Sequence, residues 1–110
     1  MTDASPVQPD AIHVYWRPGC GFCSMLRRGM DKAGIETIDH NIWDDANDAA
    51  IVRRYANGNE TVPTVVVGDV GLVNPSVKQL TAHLADRAPH LLPVGFEPPK
   101  PGIVGRLLGG

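Results

Sequence analysis

Two cysteines stand three positions apart, at a point where a helix is predicted to begin. Cys20 and Cys23, in the sequence Cys-Gly-Phe-Cys, are the two cysteines of the chain. Arg17-Pro18-Gly19 ends the apolar segment before them, and helical spacing of apolar residues follows. The unpaired amides and the dipole of a helix start favour a thiolate over a thiol at Cys20. Cys23 returns to the same helix face and can close a disulfide. The pair therefore predicts thiol–disulfide exchange, with Arg17 as a nearby positive charge.

The same cysteine spacing also occurs in zinc sites and in structural disulfides. A zinc ion would need two more ligands, and the chain has no second Cys-x-x-Cys. A structural disulfide is uncommon in a small cytosolic domain, because that compartment reduces it. We therefore expect redox chemistry, no metal and no bound cofactor. The histidines are scattered without ligand spacing, at His13, His40, His83 and His90.

The composition is that of one globular domain. The 110 residues are 43% hydrophobic and 20% charged, with a formal net charge of −2. This charge argues against a nucleic-acid partner, which favours a basic chain. No apolar run reaches the roughly 18 residues that a membrane-spanning helix needs. The first ten residues lack the basic and apolar regions of a secretory signal, so we expect a cytoplasmic location and no membrane partner.

The pattern of apolar residues and chain breakers predicts the element order β-α-β-α-β-β-α. Helices are predicted from Cys20 to a stop at Gly34, over residues 45–56, and after Ser76. The βαβ alternation predicts a parallel first pair of strands, and the Gly68-Asp69 turn predicts an antiparallel hairpin. The fold class is therefore α/β with a four-stranded mixed sheet. The strands are predicted over residues 11–16, 35–40, 64–67 and 70–73.

The helix starts and one apolar stripe are predicted in more detail. Asp44 or Asp45 can cap the second helix. Ser76 and Gln79 have the spacing of a capping box, so Asn74-Pro75-Ser76 can serve simply to begin the last helix. Apolar residues recur at helical spacing along the first helix, and Phe22 can belong to the core as part of this stripe. The stripe consists of Phe22, Met25, Leu26, Met30 and Ala33.

Both ends of the chain differ from the predicted domain at residues 11–88. Residues 1–10 contain two prolines and no apolar period, and we predict an arm without regular structure. Residues 89–110 hold five of the ten prolines and five of the twelve glycines, which predicts a tail. A loosely ordered end is the simpler interpretation of this tail. Its apolar side chains could instead dock on the domain or on a partner, and they are Ile103, Val104, Leu107 and Leu108.

The sequence resembles the glutaredoxin branch of the thioredoxin-like superfamily over about residues 11–88. The resemblance rests on Cys20-Gly21-Phe22-Cys23, on Thr61-Val62-Pro63 before the third strand, and on the glycine turn that leads to the last helix. It implies a thioredoxin-like fold in which Cys20 attacks and Cys23 resolves. It also implies a cis Val62–Pro63 bond and pairing of the Val62 backbone with the peptide-like part of an incoming thiol. Without the resemblance, a trans proline at the start of an edge strand is expected.

One segment departs from the glutathione-using members of this family. This chain has Asn-Pro-Ser-Val-Lys at residues 74–78. At the same place those members carry Gly-Gly followed by acidic residues, and these bind the γ-glutamyl end of glutathione. The Asn-Pro-Ser version is similar to the mycoredoxins of actinobacteria, which use mycothiol, a cysteinyl sugar thiol. Phe22 stands where the family often has tyrosine, so a hydroxyl contact is lost, and the resemblance implies partial exposure of Phe22 next to the thiol. The substrate-binding residues implied by the resemblance are Arg17, Phe22, Val62, Pro63, Asn74, Pro75 and Ser76.

The function that we predict is the reduction of mixed disulfides between proteins and a low-molecular-weight thiol. The resemblance makes mycothiol the expected co-substrate rather than glutathione. The partners would be that thiol, thiolated or disulfide-bonded proteins, and a mycothiol disulfide reductase or a thioredoxin-type reductase. We expect a monomer.

Three other functions remain open from the sequence. One is a dithiol electron donor fed by a thioredoxin-type reductase. A second is an iron–sulfur carrier, because Cys-Gly-Phe-Cys differs by one residue from the Cys-Gly-Phe-Ser motif of carrier glutaredoxins. A third is a non-catalytic adaptor that uses the apolar tail.

Overall fold

The computed structural model describes residues 10–96 of the chain. The predicted order of seven elements is confirmed, and a short 3₁₀ turn follows the last helix. The elements are β1 (Ile12–Trp16), α1 (Gly21–Lys32), β2 (Ile38–Asn41), α2 (Ala46–Tyr55), β3 (Thr64–Val67), β4 (Val70–Val73), α3 (Val77–Arg87) and the 3₁₀ turn Pro89–Leu91.

The four strands form one mixed sheet in the order β2-β1-β3-β4. Strands β1 and β2 are parallel, with His13 opposite Ile38, and β3 and β4 form the antiparallel hairpin. The central pair, β1 and β3, is antiparallel, with Val14 opposite Val65. These pairings confirm the predicted α/β class and its four-stranded mixed sheet.

The helices cover the two faces of the sheet in three layers. Alternate side chains of a strand point to opposite faces, so Ile12 and Val14 of β1 face one way and Tyr15 faces the other. The first face packs against α1 and α3, through Leu26, Met30, Leu80 and Leu84. The second face packs against α2, through Ala49 and Val52. Cys20 therefore lies at the start of a helix that the larger core holds against the sheet.

The connection between α1 and β2 differs from the prediction of a strand over residues 35–40. Gly34 ends the helix, as predicted, with a φ of 74°, which glycine adopts without steric cost. The amides of Gly34 and Ile35 then donate to the carbonyls of Asp31 and Met30, which is a Schellman motif. Ile35 is buried in the core, and strand pairing begins only at Ile38. The apolar character of Ile35 thus reflects burial in a turn, and the predicted strand start was wrong.

The buried face of α1 is narrower than the predicted apolar stripe. Leu26 and Met30 are buried, whereas Phe22 is 64% exposed and Met25 is 65% exposed. Helical spacing does not make these two side chains part of the core, because a surface groove beside the first turns of α1 leaves them uncovered. The exposure of Phe22 is the one that the family resemblance implied.

Helices α1 and α3 approach each other closely at Gly29. A Cβ atom on Gly29 would overlap the Val77 side chain at the start of α3. The absence of a side chain at Gly29 therefore sets how near the two helices lie, and Val77 also lines the groove beside Phe22.

The first part of the predicted tail packs against the domain. Leu91, Leu92 and Phe96 contact the core between the sheet, α1 and α3. The predicted arm up to residue 9 and residues 97–110, with their four apolar side chains, lie outside the described residues. Within residues 10–96, no helix combines the length and apolar character needed to cross a bilayer.

Candidate active site

Cys20 is the N-cap residue of α1. Its backbone is extended, with φ −96° and ψ 108°, and its sulfur accepts a hydrogen bond from the backbone N–H of Cys23 at 3.1 Å. The first turn of α1 contains no acidic residue. A sulfur in this position receives the free amides and positive dipole end of the helix, and both favour a negatively charged sulfur.

The two cysteines are joined as a disulfide, with their Cα atoms 5.2 Å apart. Their accessibility differs, because Cys20 is half-buried and Cys23 is 1% exposed. A molecule from solution can therefore approach the sulfur of Cys20, whereas Cys23 is reached mainly through Cys20.

The Val62–Pro63 peptide lies directly beside the cysteine pair. This bond is cis, as the family resemblance implied. The carbonyl oxygen of Val62 is 3.7 Å from the sulfur of Cys20. Within residues 10–96, the backbone N–H of Val62 has no hydrogen-bond partner. Thr64 is fully buried and its hydroxyl donates to the carbonyl of Thr61 at 2.7 Å, which holds the loop in place.

A second loop, between β4 and α3, is hydrogen-bonded to the loop that contains the Val62–Pro63 peptide. The backbone N–H of Asn74 donates to the carbonyl of Pro63 at 2.7 Å. Asn74 has a φ of 52°, in the left-handed region that asparagine adopts more readily than most residues. Two residues later the predicted capping box is present, since Ser76 and Gln79 bond each other's backbone amides through their side chains. The segment from Asn74 to Ser76 therefore both begins α3 and extends the site away from Cys20.

An apolar groove lies between the first turns of α1 and this second loop. Its volume is about 340 Å³. None of the residues that line it carries a charge. They are Phe22, Met25, Leu26, Asn74, Pro75, Ser76, Val77 and Gln79.

The predicted binding residues fall into two groups around Cys20. Phe22, Asn74, Pro75 and Ser76 line the groove. Val62 lies beside the Cys20 sulfur through its carbonyl, and the carbonyl of Pro63 accepts from the amide of Asn74. The other four lining residues were not predicted, and they are Met25, Leu26, Val77 and Gln79. Met25 belongs to the same apolar stripe as the buried residues of α1, so no sequence signal separated it from them.

Arg17 does not line the groove. Its guanidinium lies 6.0 Å from the ring of Trp43, a side chain that is 64% exposed. It also donates to the carbonyl of Pro18 at 3.1 Å. Trp43 follows β2 and was not identified from the sequence, because its place beside Arg17 depends on the register of β1 and β2, in which Trp16 lies opposite Asn41.

A separate cluster of titratable side chains lies on the α2 face of the sheet. Nδ1 of His13 and Nε2 of His40 are 2.9 Å apart, and the His40 ring stacks on Tyr15 with ring centres 4.6 Å apart. Burial lowers the pKa of His13, and His40 lowers it further, while Asp10 and Asp48 oppose the shift. Burial also raises the pKa of Tyr15. In the described part of the chain, no group of three or more His, Cys, Asp or Glu side chains is placed to hold a metal ion.

Comparisons with known proteins agree with this geometry. A family model described as glutaredoxin matches residues 12–72, more than half of the chain. The solution structure of a glutaredoxin from Brucella melitensis has a TM-score of 0.53 and 24% identity, with 83% of this chain and 97% of that chain covered. The glutaredoxin-like NrdH-redoxin of Escherichia coli, described as having a thioredoxin-like activity profile, has a TM-score of 0.50 and 27% identity over 57% of this chain and 80% of that chain. Buckwheat glutaredoxin in complex with glutathione has a TM-score of 0.52 and 19% identity, with 74% of each chain covered. No curated protein sequence matches the chain.

Proposed function

The chain belongs to the glutaredoxin family of thiol oxidoreductases, and we propose that it reduces mixed disulfides between proteins and a low-molecular-weight thiol. One observation carries the proposal: Cys20 is half-buried, and its sulfur caps a helix and accepts a hydrogen bond from the Cys23 amide. A thiolate is the attacking species in disulfide exchange, and this position favours the thiolate.

The first step is attack of the Cys20 thiolate on the small-thiol sulfur of the mixed disulfide. The protein–small-thiol S–S bond breaks, a Cys20–small-thiol S–S bond forms, and the protein leaves as a thiolate that takes a proton from water. A second molecule of the small thiol then attacks, which releases the symmetrical small-thiol disulfide and restores Cys20. The net reaction reduces the protein cysteine and consumes one free small thiol, which leaves as a symmetrical disulfide with the small thiol of the substrate.

Cys23 offers a second way to release the small thiol. Its sulfur attacks Cys20, the small thiol leaves as a thiol, and the Cys20–Cys23 disulfide forms. Two electrons from a mycothiol disulfide reductase system, a thioredoxin-type reductase or two further small thiols return that disulfide to the dithiol. The burial of Cys23 supports this resolving role, because external disulfides reach Cys20 first.

We propose mycothiol as the co-substrate, in preference to glutathione. The groove beside Cys20 has no charged lining residue to pair with the ammonium and carboxylate of a γ-glutamyl group. Its apolar walls and its neutral amide and hydroxyl groups suit a sugar-bearing thiol. Phe22 would pack against this ligand as part of the apolar wall.

The backbone of Val62 is proposed to pair with the peptide-like part of the bound thiol. Its amide has no hydrogen-bond partner within residues 10–96, and its carbonyl lies beside the Cys20 sulfur. Main-chain pairing of this kind fixes the direction of an extended ligand. Arg17 is proposed to add positive charge near Cys20 and to contact the protein half of the substrate, together with Trp43.

A dithiol electron donor is the second candidate function. The 27% identity to a glutaredoxin-like protein with a thioredoxin-like activity profile favours it. In that role the internal disulfide is the working oxidised form, and a thioredoxin-type reductase supplies the electrons. Either function suits the cytoplasm, because both need a reducing compartment.

Two cysteine variants test the proposal. We expect Cys20→Ser to abolish reduction of a mixed-disulfide peptide. We expect Cys23→Ser to keep the route in which a free small thiol releases the small thiol bound to Cys20. An active Cys20→Ser variant would refute the assignment, and an inactive Cys23→Ser variant would favour the dithiol donor. The same peptide conjugated to mycothiol and to glutathione, compared by kcat/KM, tests the choice of thiol.

A further inference from the structure

The side chain of Met25 presents an exposed thioether sulfur close to the candidate active site. Residues 10–96 contain two methionines, both on α1, and their surroundings differ. Met25 is 65% exposed and lines the groove, whereas Met30 is 1% exposed and belongs to the larger core. A solute as small as a peroxide can therefore reach the sulfur of Met25, while the sulfur of Met30 is covered by its neighbours.

Helical geometry places Met25 near both the groove wall and the cysteine pair. Met25 lies three residues after Phe22, so the two side chains are neighbours on one face of the helix. Both are exposed and both line the groove. Met25 also lies five residues after Cys20, a rise of about 7.5 Å along the axis of α1. A change in the polarity of Met25 therefore alters the surface beside the sulfur that attacks.

The state of the cysteine pair decides which sulfur a peroxide oxidises first. A thiolate is oxidised readily, so in the reduced protein Cys20 reacts first and Cys23 then closes the disulfide. In the structure the disulfide is formed, and neither cysteine has a thiolate to offer. Among residues 10–96, Met25 then holds the exposed thioether that is left to react. Peroxide in excess of what the cysteine pair consumes is thus directed to Met25.

We propose that Met25 is a modification site, at which a hydroperoxide oxidises the thioether reversibly to a sulfoxide. With hydrogen peroxide, a lone pair of the sulfur attacks one oxygen, an S–O bond forms and the O–O bond breaks. The departing hydroxide takes the remaining proton of the transferred oxygen and leaves as water. The thioether is oxidised by two electrons and the peroxide is reduced by two. A methionine sulfoxide reductase, supplied with two electrons by thiols, restores the thioether.

The sulfoxide places a polar oxygen in an apolar wall. The groove carries no charged side chain, and its lining is mainly apolar. A ligand that binds against this wall must remove water from the new oxygen, which is costly unless a hydrogen bond replaces that water. The effect on catalysis rests on the proposed function, and it is weaker binding of the mixed disulfide with little change in the chemical step. Reduction of the Cys20–Cys23 disulfide does not reverse it, because dithiols do not return a sulfoxide without the reductase.

The experiment exposes the full chain in its disulfide form to hydrogen peroxide, and mass spectrometry of its peptides follows the gain of oxygen at each methionine. We expect Met25 to be oxidised at least about tenfold faster than Met30, because only Met25 is accessible. Dithiothreitol then restores the dithiol, and a peptide–mycothiol mixed disulfide is the substrate. KM should rise about fivefold with kcat within about twofold, as expected for a polar group placed at an apolar contact. A methionine sulfoxide reductase should return KM to its first value.

Two variants separate oxidation of Met25 from other effects of peroxide. Met25→Leu keeps an apolar side chain of similar volume and has no sulfur, so its own KM should be the same before and after peroxide. Met30→Leu is the matched control, and its KM should respond to peroxide as that of the wild type does.

The inference and the proposed function fail in different ways. Oxidation of Met25 that is no faster than that of Met30 would overturn the modification site. An unchanged KM after complete oxidation of Met25 would overturn its effect on the groove. Untreated wild-type protein that reduces no mixed disulfide refutes the proposed function instead, and the two oxidation rates then decide the modification site by themselves.

Discussion

The backbone N–H of Cys23 donates a hydrogen bond to the sulfur of Cys20 across 3.1 Å. Cys23 thus contacts the Cys20 sulfur through its main chain as well as through its own sulfur. This amide is one of the unpaired donors at the start of α1, and a serine at position 23 retains it. The proposed one-cysteine route therefore does not depend on the Cys23 side chain.

A negative charge one turn into α1 should slow reactions of Cys20. Ser24 is exposed and lies four residues after Cys20, so a carboxylate in Ser24→Glu is a helical neighbour of the sulfur. Like charges at this spacing destabilise the thiolate, and we expect alkylation of the reduced protein at neutral pH to slow about twofold. Ser24→Gln is the uncharged control. Equal alkylation rates for the two variants would show that the charge does not reach the sulfur.

The contact between α1 and α3 at Gly29 should tolerate no side chain. Gly29→Ala places a methyl group against Val77, and we expect a loss of about 1–3 kcal/mol in the free energy of unfolding, as for an overpacked core. The matched control is Gly21→Ala in the same helix, where a Cβ atom meets no other atom within 4 Å. Urea denaturation of both variants measures the difference. Equal stabilities would contradict the packing described for these helices.

Acid should destabilise the fold through His13. The pKa of His13 in the folded chain is lowered from its usual 6.5 by burial and by His40, so the unfolded chain binds the proton more readily. The contribution to stability is complete above pH 6.5 and is lost as the pH falls from there through the folded-state pKa. Replacing His13 by Gln should flatten this part of the pH profile, measured by urea denaturation between pH 7.5 and 5. His83→Gln on α3 is the control and should keep the wild-type slope.

Truncation should show where the folded domain ends. Removing all residues after Ala88 deletes Leu91, Leu92 and Phe96, which pack against the core. We expect a loss of roughly 2–4 kcal/mol, since each partly buried side chain contributes about 1 kcal/mol. A chain that ends at Phe96 retains these contacts and is the reference. If both truncated chains unfold at the same denaturant concentration, the packing of this segment adds nothing to stability.

The local features of the site were predictable from the sequence because each depends on neighbouring residues. The cysteine pair at a helix start, the Ser76–Gln79 capping box and the hairpin turn all follow from spacing within a few positions. The parallel first strand pair also followed, since a helix between two strands favours that arrangement. The cis Val62–Pro63 bond was predicted only through the family resemblance.

The tertiary structure decided what depends on residues far apart in the chain. Strand order brings His13 within 2.9 Å of His40 and places Arg17 near Trp43. The bond from Asn74 to Pro63 joins two loops into one wall of a groove. Helical periodicity identifies apolar positions, but only the packing of the neighbouring elements determines which are covered. For that reason Leu26 is buried while Phe22 and Met25 remain open to a ligand.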